Sequence, residues 1–278
     1  FSLADQKDHR KRFKNLSGSM GDNTLDQEEL FFNSALSFLD ELKWSFGVLR
    51  LGLRYDHQRL GTQISTDEVK LNSVNPSIGF TFTQWGDQLL FISYSSSFET
   101  PTLNELSANP SGAAGFNPDL SPSRAYNLEG GWRFIQPENT FEATLYAINT
   151  KDEILPYELE DFPDRDFYRN AGNTSRMGIE LFWEHQKGPW EWTVAYHDAC
   201  ITFDDYVLKD KNLSGNFLPG IPQQQINTSV QFDFSQGWGS ALQTQYTGSL
   251  YADDANQTQV ADYFLANLRI WKSFDTLS

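Results

Sequence analysis

The chain has 278 residues, a single cysteine and a formal net charge of −16. That charge argues against nucleic-acid binding, which needs a basic face, and the single Cys200 excludes an intrachain disulfide. Mean hydropathy is −0.51, and no run approaches the roughly 18 apolar residues of a membrane helix. These values do not exclude a membrane-spanning β-barrel, because only alternate residues of its strands face lipid.

Residues 1 to about 27 are polar and charged, with a basic cluster from Lys7 to Lys14, and predict a long loop. Apolar and polar residues then alternate, which indicates strands. Short turns are predicted at Glu41-Leu-Lys43 and Trp85-Gly-Asp87, and a Pro- and Gly-rich loop at Glu99 to Pro122. The strands of this first half are predicted at about 28–40, 44–58, 71–83 and 88–98.

The second half contains the clearest hairpin of the sequence, which follows an acidic, aromatic loop from Pro156 to Asp166. In its first arm, Ile179, Leu181 and Trp183 alternate with Glu180, Phe182 and Glu184. Gly188-Pro189 then reverses the chain, and a second alternating arm begins at Trp190. Another long loop is predicted at 203–222. The remaining strands are predicted at about 123–135, 140–154, 224–234, 240–250 and 261–272.

These about eleven strands are joined by connections that alternate between tight turns and loops of roughly 10 to 25 residues. Short turns at one end and long loops at the other are typical of outer-membrane barrels. The sequence therefore predicts an all-β, antiparallel, up-and-down transmembrane β-barrel. The tryptophans, which lie near the predicted short turns, predict a membrane-interface belt. They are Trp44, Trp85, Trp132, Trp183, Trp190, Trp192, Trp238 and Trp271.

Five motifs, in this order and spacing, resemble the barrel of TonB-dependent outer-membrane receptors over essentially the whole chain. They are Gly52–Asp56, Ser93–Leu106, Asn117–Pro122 with Glu129-Gly-Gly131, Asn170-Ala-Gly172 with Gly178-Ile-Glu180, and Leu218–Pro222. Ser123 departs from the family, which usually has Glu there. The resemblance implies a receptor in the cell outer membrane that imports a scarce nutrient, above all an iron–siderophore complex.

The resemblance also implies that residues 1–278 are part of a longer receptor. The family's barrels have 22 strands and follow an N-terminal plug domain along the chain. The TonB–ExbB–ExbD complex acts through that plug domain. Plug and last strands are expected to be absent here, so the sheet is expected to be open. Its edges are predicted at the strands near 28–40 and 261–272. Outer-membrane lipid and lipopolysaccharide are further expected partners.

Ligand contacts are predicted on the long loops. The loop at 156–166 mixes acids with aromatics, which suits a cationic or metal-chelate ligand, although a solvated loop or one bridged to lipopolysaccharide by divalent ions explains it equally well. The basic cluster at Lys7 to Lys14 has two interpretations as well. It contacts an anionic ligand or lipid phosphates, or it is a solvated loop. The candidate ligand-binding residues are Phe98, Thr100, Leu103, Phe116, Tyr157, Phe162, Arg165, Tyr168, Tyr206 and Phe217.

Enzyme signatures are weak. The four histidines lack metal-ligand spacing, no Gly-x-Ser-x-Gly elbow occurs, and only His197 with Ser214 leaves a hydrolase open. Glu180, Glu184 and Glu191 are interpreted as a polar wall toward the lumen or plug. We therefore expect no enzyme, no cofactor and no metal site. A soluble or surface-attached all-β binding module, and an outer-membrane barrel enzyme, are the alternatives.

Overall fold

The structure is a computed structural model that describes residues 1–63, 68–112, 115–159, 162–170, 172–208 and 211–274. Strands dominate, and the α-helix α1 (Leu103–Ser107) occupies a short part of one loop. Within these residues, no helix is long and apolar enough to cross a membrane. The strands are β1 (Ser2–Leu16), β2 (Ser19–Trp44), β3 (Gly47–Thr62), β4 (Val69–Trp85), β5 (Gln88–Glu99), β6 (Ser123–Gln136), β7 (Asn139–Lys151), β8 (Ile154–Leu159), β9 (Phe162–Asn170), β10 (Asn173–Lys187), β11 (Trp190–Asp205), β12 (Val207–Leu208), β13 (Lys211–Asn212), β14 (Gln224–Asp233), β15 (Trp238–Thr247), β16 (Leu250–Tyr251), β17 (Gln259–Val260) and β18 (Tyr263–Lys272).

Twelve of these strands form one antiparallel sheet, in which each strand pairs with the next sheet strand along the chain. The hairpins β8–β9, β12–β13 and β16–β17 stand apart from the sheet, in the connections between its strands. The sheet strands are 10 to 26 residues long, enough for a tilted membrane crossing. The predicted fold class, a partial up-and-down barrel, is confirmed.

The N-terminal segment differs from the prediction, because it forms β1 rather than a loop. β1 pairs with β2 from Ser2 opposite Ala35 to Leu16 opposite Ser19. Lys11 lies directly opposite Asp26 in this ladder, with an ion pair of 3.5 Å, and Lys7 forms a diagonal ion pair of 2.7 Å with Glu28. Such cross-strand pairs stabilise a hairpin. A search for apolar alternation overlooks a strand that is held by charge.

The connections sort by end as predicted, except for the two-residue turn between β1 and β2 at Ser17-Gly18, which lies at the end of the long loops. Tight turns join β2–β3, β4–β5, β6–β7, β10–β11 and β14–β15 at one end of the sheet, the short-turn end. The first of these turns lies at Ser45–Phe46 and not at Glu41–Lys43, because β2 continues to Trp44. All other connections lie at the opposite end, the loop end. The predicted loops at 156–166 and 203–222 each include or adjoin one of the short hairpins, and β16–β17 lies in the connection between β15 and β18.

The register gives the sheet two chemically different faces, because directly paired residues share a face. Leu181 pairs with Ala143 and Tyr196 on the apolar face, whereas Glu180 pairs with Thr144 on the polar face. Large side chains of the apolar face are exposed, as Leu145 is to 63% and Leu268 to 70%. So large an exposed apolar surface indicates a lipid environment rather than water.

The sheet is open, with β1 and β18 as its edges. No ladder joins these two strands in the described part of the chain. The predicted edge near 261–272 is β18. The other predicted edge, near 28–40, belongs to β2. β1 pairs with residues 28–35 of that segment, whereas residues 36–40 have no partner in β1.

Candidate ligand-binding site at the loop end

The loop between β5 and β6 folds over the polar face at the loop end; its described residues, 100–112 and 115–122, form a cover. Its helix α1 begins with a capping box, in which Thr102 Oγ1 accepts from Glu105 N–H at 3.2 Å and a Glu105 carboxylate oxygen accepts from Thr102 N–H at 2.7 Å. Leu106 is fully buried in a cluster with Leu60, Leu71 and Leu120. This cluster fixes the cover to β3 and β4.

Glu29 of β2 holds the cover to the β1–β2 hairpin. Its carboxylate is fully buried and accepts from Arg10 Nε at 2.6 Å, from Gln27 Nε2 at 2.8 Å and from the Ser107 hydroxyl. Arg10 Nη1 also donates to Asn104 of the cover at 3.0 Å. Burial alone would raise the pKa of Glu29, but the hydrogen bonds from Arg10, Ser107 and Gln27 outweigh it, so the pKa lies below its ordinary value.

The β8–β9 hairpin lies next to the cover. Phe167 is fully buried, and the Arg165 guanidinium lies 4.4 Å from the centre of its ring, a cation–π contact. The Phe162 ring lies 5.6 Å from Phe167. Asn117 Nδ2 of the cover donates to the Tyr168 carbonyl at 3.4 Å. The hairpin therefore presents arginine and aromatic side chains beside the cover.

The loop between β11 and β14 and the loop between β15 and β18 are linked to each other at the same end. The Tyr206 hydroxyl donates to the Asp254 carboxylate at 2.9 Å, and Asn256 exchanges hydrogen bonds with the Phe217 backbone at 2.7 and 2.8 Å. Burial, and then the bond to Asp254, raise the pKa of Tyr206. Because the Tyr206 ring is buried, its visible role is to hold these loops together.

The structure brings some of the predicted ligand-binding residues together and separates others. Leu103, Phe116 and Tyr168 pack against the buried leucine cluster of the cover. Thr100 and Leu103 line a cleft of about 430 Å³ beside Arg10, and Phe116 lines another of about 540 Å³. Tyr157, Phe162 and Arg165 share the β8–β9 hairpin. Tyr206 and Phe217 lie in the linked loops, with the Phe217 ring stacked on Tyr251 at 6.0 Å.

Phe98 lies apart from this set. It pairs with Arg124 on the apolar face of the sheet, not on the polar face under the cover. Residues Glu160 and Asp161, from the acidic part of the predicted binding loop, lie outside the described residues. Arg10, from the basic cluster Lys7 to Lys14, lines the cleft that contains Thr100 and Leu103. The sequence analysis did not place Arg10 beside these residues, because β1 was not recognised as a strand.

The polar face carries the predicted glutamates Glu180, Glu184 and Glu191, in register with Thr144, Thr140 and Gln231 respectively. His197 Nε2 lies 2.8 Å from the Tyr146 hydroxyl, whereas the Ser214 hydroxyl accepts from Tyr206 N–H at 3.2 Å. The one pair that suggested a hydrolase thus makes its hydrogen bonds in different places. Among the described residues, no group of His, Cys, Asp and Glu has the arrangement of a metal site.

Aromatic residues border the apolar face at both ends. All eight tryptophans lie at or near the short-turn end of their strands, and Trp132 and Trp190 pack on Phe141 and Phe232 of that face at 5.2 and 4.3 Å. Trp271 differs, because it pairs with Gly239 on the polar face and its ring covers that glycine.

A second belt, of tyrosines, lies on the apolar face toward the loop end. The sequence analysis missed it, although the residues continue the apolar alternation of their strands. Trp132 and Tyr126 are about 20 Å apart along β6, and Trp238 and Tyr246 about 27 Å along β15, at ~3.4 Å per residue. These distances approach the ~25 Å apolar band of outer-membrane barrels. The belt consists of Tyr55, Tyr94, Tyr126, Tyr196 and Tyr246.

Solved structures share this architecture. The chain is similar to the ferric citrate transporter FecA, with a TM-score of 0.80, 18% identity, and coverage of 98% of this chain and 43% of that one. It is similar to the ferric yersiniabactin uptake receptor FyuA from Yersinia pestis, with a TM-score of 0.66, 20% identity, and coverage of 88% and 39%. It is also similar to the copper transporter OprC, with a TM-score of 0.73, 13% identity, and coverage of 96% of this chain and 44% of that one.

At these identities the likeness shows the fold, and the chain spans less than half the length of each of these proteins. Family comparison goes further, because residues 5–277 match the family described as TonB dependent receptor-like, beta-barrel. The match covers nearly all of the open sheet and its loops. The chain therefore belongs to the β-barrel family of TonB-dependent receptors, which places it in the outer membrane.

Proposed function

We propose that this chain is the loop-bearing part of an outer-membrane receptor that imports an iron–siderophore complex. The observation that supports this proposal is the β8–β9 hairpin, in which the Arg165 guanidinium lies 5.5 Å from the centre of the exposed Phe162 ring and that of Arg169 lies 5.3 Å from the centre of the Tyr157 ring. Aromatic and arginine side chains dominate binding hot spots. Their position beside the cover suits capture of a planar or charged chelate.

The solved neighbours support a metal chelate as cargo without deciding which one. FyuA and FecA are described as carrying ferric yersiniabactin and ferric citrate, and OprC as a copper transporter. The arginine and aromatic side chains of the β8–β9 hairpin suit a charged chelate.

Import further requires an energised partner and a gate. In this proposal the polar face, with Glu180, Glu184 and Glu191, faces a plug domain, and the TonB–ExbB–ExbD complex rearranges that plug after the loops capture the ligand. A soluble binding module fits less well, since its apolar face would be exposed to water. A barrel enzyme is disfavoured by the separate hydrogen bonds of His197 and Ser214.

Deleting residues 156–166 from the full-length receptor tests this proposal. We expect uptake of radiolabelled ferric siderophore to fall by about tenfold or more, because the deletion removes several hot-spot side chains, each worth about 1–2 kcal/mol or more. Barrel assembly, followed by heat-modifiable electrophoretic mobility, should persist because the sheet strands are untouched.

The matched control deletes residues 15–20, the tip of the β1–β2 hairpin, which lies at the same end and contains no aromatic residue. That variant should keep its uptake. If the 156–166 variant inserts correctly and retains both affinity and uptake, the β8–β9 hairpin does not belong to the binding site.

A further inference from the structure

The apolar face of the sheet carries an open groove across β4 to β7, close to the short-turn end. Its volume is about 600 Å³, within the range of pockets that hold small molecules. Gly130 of β6 contributes to the groove without a side chain. The side chains of the apolar face that line it are mostly large and include those of Phe80, Phe82, Leu90, Ile92, Trp132 and Leu145. The groove therefore suits an apolar group.

The groove exists because Gly130 interrupts a row of large side chains. Gly130 pairs directly with Ile92 on one side and with Leu145 on the other. Its φ is not positive, and an added Cβ would meet only the Phe91 carbonyl oxygen, at an ordinary contact distance of 3.6 Å. Gly131 differs, because a Cβ there would lie 2.5 Å from the Phe91 ring on the polar face. Packing within the sheet thus requires Gly131 but leaves the space beside Gly130 unexplained.

The depth of the groove in the membrane follows from the two aromatic belts. Gly130 is two residues from Trp132 and four from Tyr126 along β6, which is about 7 Å and about 14 Å at ~3.4 Å per residue. The tryptophans lie at the short-turn end, and short turns of outer-membrane barrels are periplasmic. The groove therefore lies in the periplasmic half of the hydrocarbon layer, among the acyl chains of that leaflet.

A polar group adjoins the groove at the level of the tryptophan belt. Gln88 is two residues from Leu90 on the same face of β5, and its Oε1 accepts from Trp132 Nε1 at 3.0 Å. The other end of this amide, Nε2, donates to no residue in the part of the chain that the structure describes. At this depth the ester carbonyls of lipids are available acceptors, because aromatic belts lie at the boundary between hydrocarbon and head groups.

We infer that the groove binds one acyl chain of a glycerophospholipid of the periplasmic leaflet, whose ester carbonyl accepts from Gln88 Nε2. An acyl chain fills a narrow apolar groove and gains contacts that a disordered neighbouring lipid lacks. A second copy of the protein fits less well, because Ile92 and Leu145, exposed to 56% and 63%, project beside the groove and a stable protein interface needs about 800 Å² per partner. The inference depends on the outer-membrane location and not on the imported ligand.

The test titrates the delipidated full-length receptor in detergent with palmitoyl-oleoyl phosphatidylethanolamine and counts bound lipid by native mass spectrometry. Gly130→Leu should weaken the tightest binding step about tenfold, because the leucine occupies the groove and several methylene groups of the chain lose their contacts. Ala143→Leu fills the same groove from β7 and should reproduce this loss. The control Ala147→Leu enlarges a side chain of the same face outside the groove and should bind lipid as the wild type does.

The contact with Gln88 is tested with the dialkyl ether analogue of the same lipid, which lacks the ester carbonyl. The wild type should prefer the ester lipid, and Gln88→Leu should remove that preference. Three results would overturn the inference: wild-type lipid affinity in both groove variants, an equal loss in Ala147→Leu, or an unchanged ester preference in Gln88→Leu. A wild-type dimer that Gly130→Leu dissociates, with lipid binding unchanged, would also overturn it and would identify a second copy as the occupant.

Discussion

Replacing Gly172 with alanine should severely impair assembly of the sheet. Gly172 has φ of +83°, and a Cβ there would lie 1.8 Å from the Asp205 carbonyl oxygen. Backbone atoms cannot move aside as a flexible side chain can, and the left-handed conformation itself costs a non-glycine residue about 1–2 kcal/mol. Together we expect a loss of about 3–5 kcal/mol, in the range of the most damaging single substitutions.

The measurement is the urea midpoint of the heat-modifiable form, together with the fraction of chain that assembles in the membrane. Gly86→Ala is the matched control, because Gly86 also has positive φ, +63°, but nothing lies within 4 Å of its added Cβ. It should lose only about 1–2 kcal/mol. Equal losses in both variants would show that the contact with Asp205 carries no weight.

Replacing Glu29 with alanine should release the cover from the β1–β2 hairpin. The substitution leaves Arg10, whose side chain is 26% exposed, without its buried partner. Breaking a buried ion pair costs about 3–5 kcal/mol, and the partial exposure of Arg10 places the expected loss near the lower figure. Amide exchange of Leu106 and Ala108, which is limited by opening of α1, should accelerate on the order of 100-fold.

Hydrogen exchange read by mass spectrometry over residues 102–117 measures this effect. Asp22→Ala is the control, because Asp22 is 87% exposed and its contact with Lys14 is 3.7 Å long; exposed pairs of this kind contribute little. Unaltered protection of α1 in the Glu29→Ala variant would mean that the leucine cluster alone holds the cover.

The same carboxylate makes the cover sensitive to acid. The pKa of Glu29 is lower in the folded protein than in the unfolded chain, so its stabilisation is present above the ordinary carboxyl pKa of ~4.3 and is lost as the pH falls through the folded value. Protection of α1 should stay constant from about pH 7 to 5 and decline below about 4. Glu29→Gln should abolish that dependence, and a Glu29→Gln variant with the wild-type profile would assign it to another group.

The amino-acid sequence by itself determined the two faces and two ends of the sheet. Strand side chains alternate with period two, so the alternation of Ile179, Leu181 and Trp183 with Glu180 and Glu184 specifies faces without knowledge of any partner strand. Turn residues such as Gly188-Pro189 act equally locally. The tryptophan positions and the order of turns and loops followed from these local features.

Only the tertiary structure decided what the loop end looks like. β1 is a strand because its charges meet opposite charges on β2, and Glu29 is buried because Ser107, distant in the sequence, closes over it. Phe98 belongs to the lipid side, while Arg10 enters a cleft beside Leu103. Each of these outcomes depends on pairing between segments far apart along the chain, whose energy is set by register and burial and not by any local pattern.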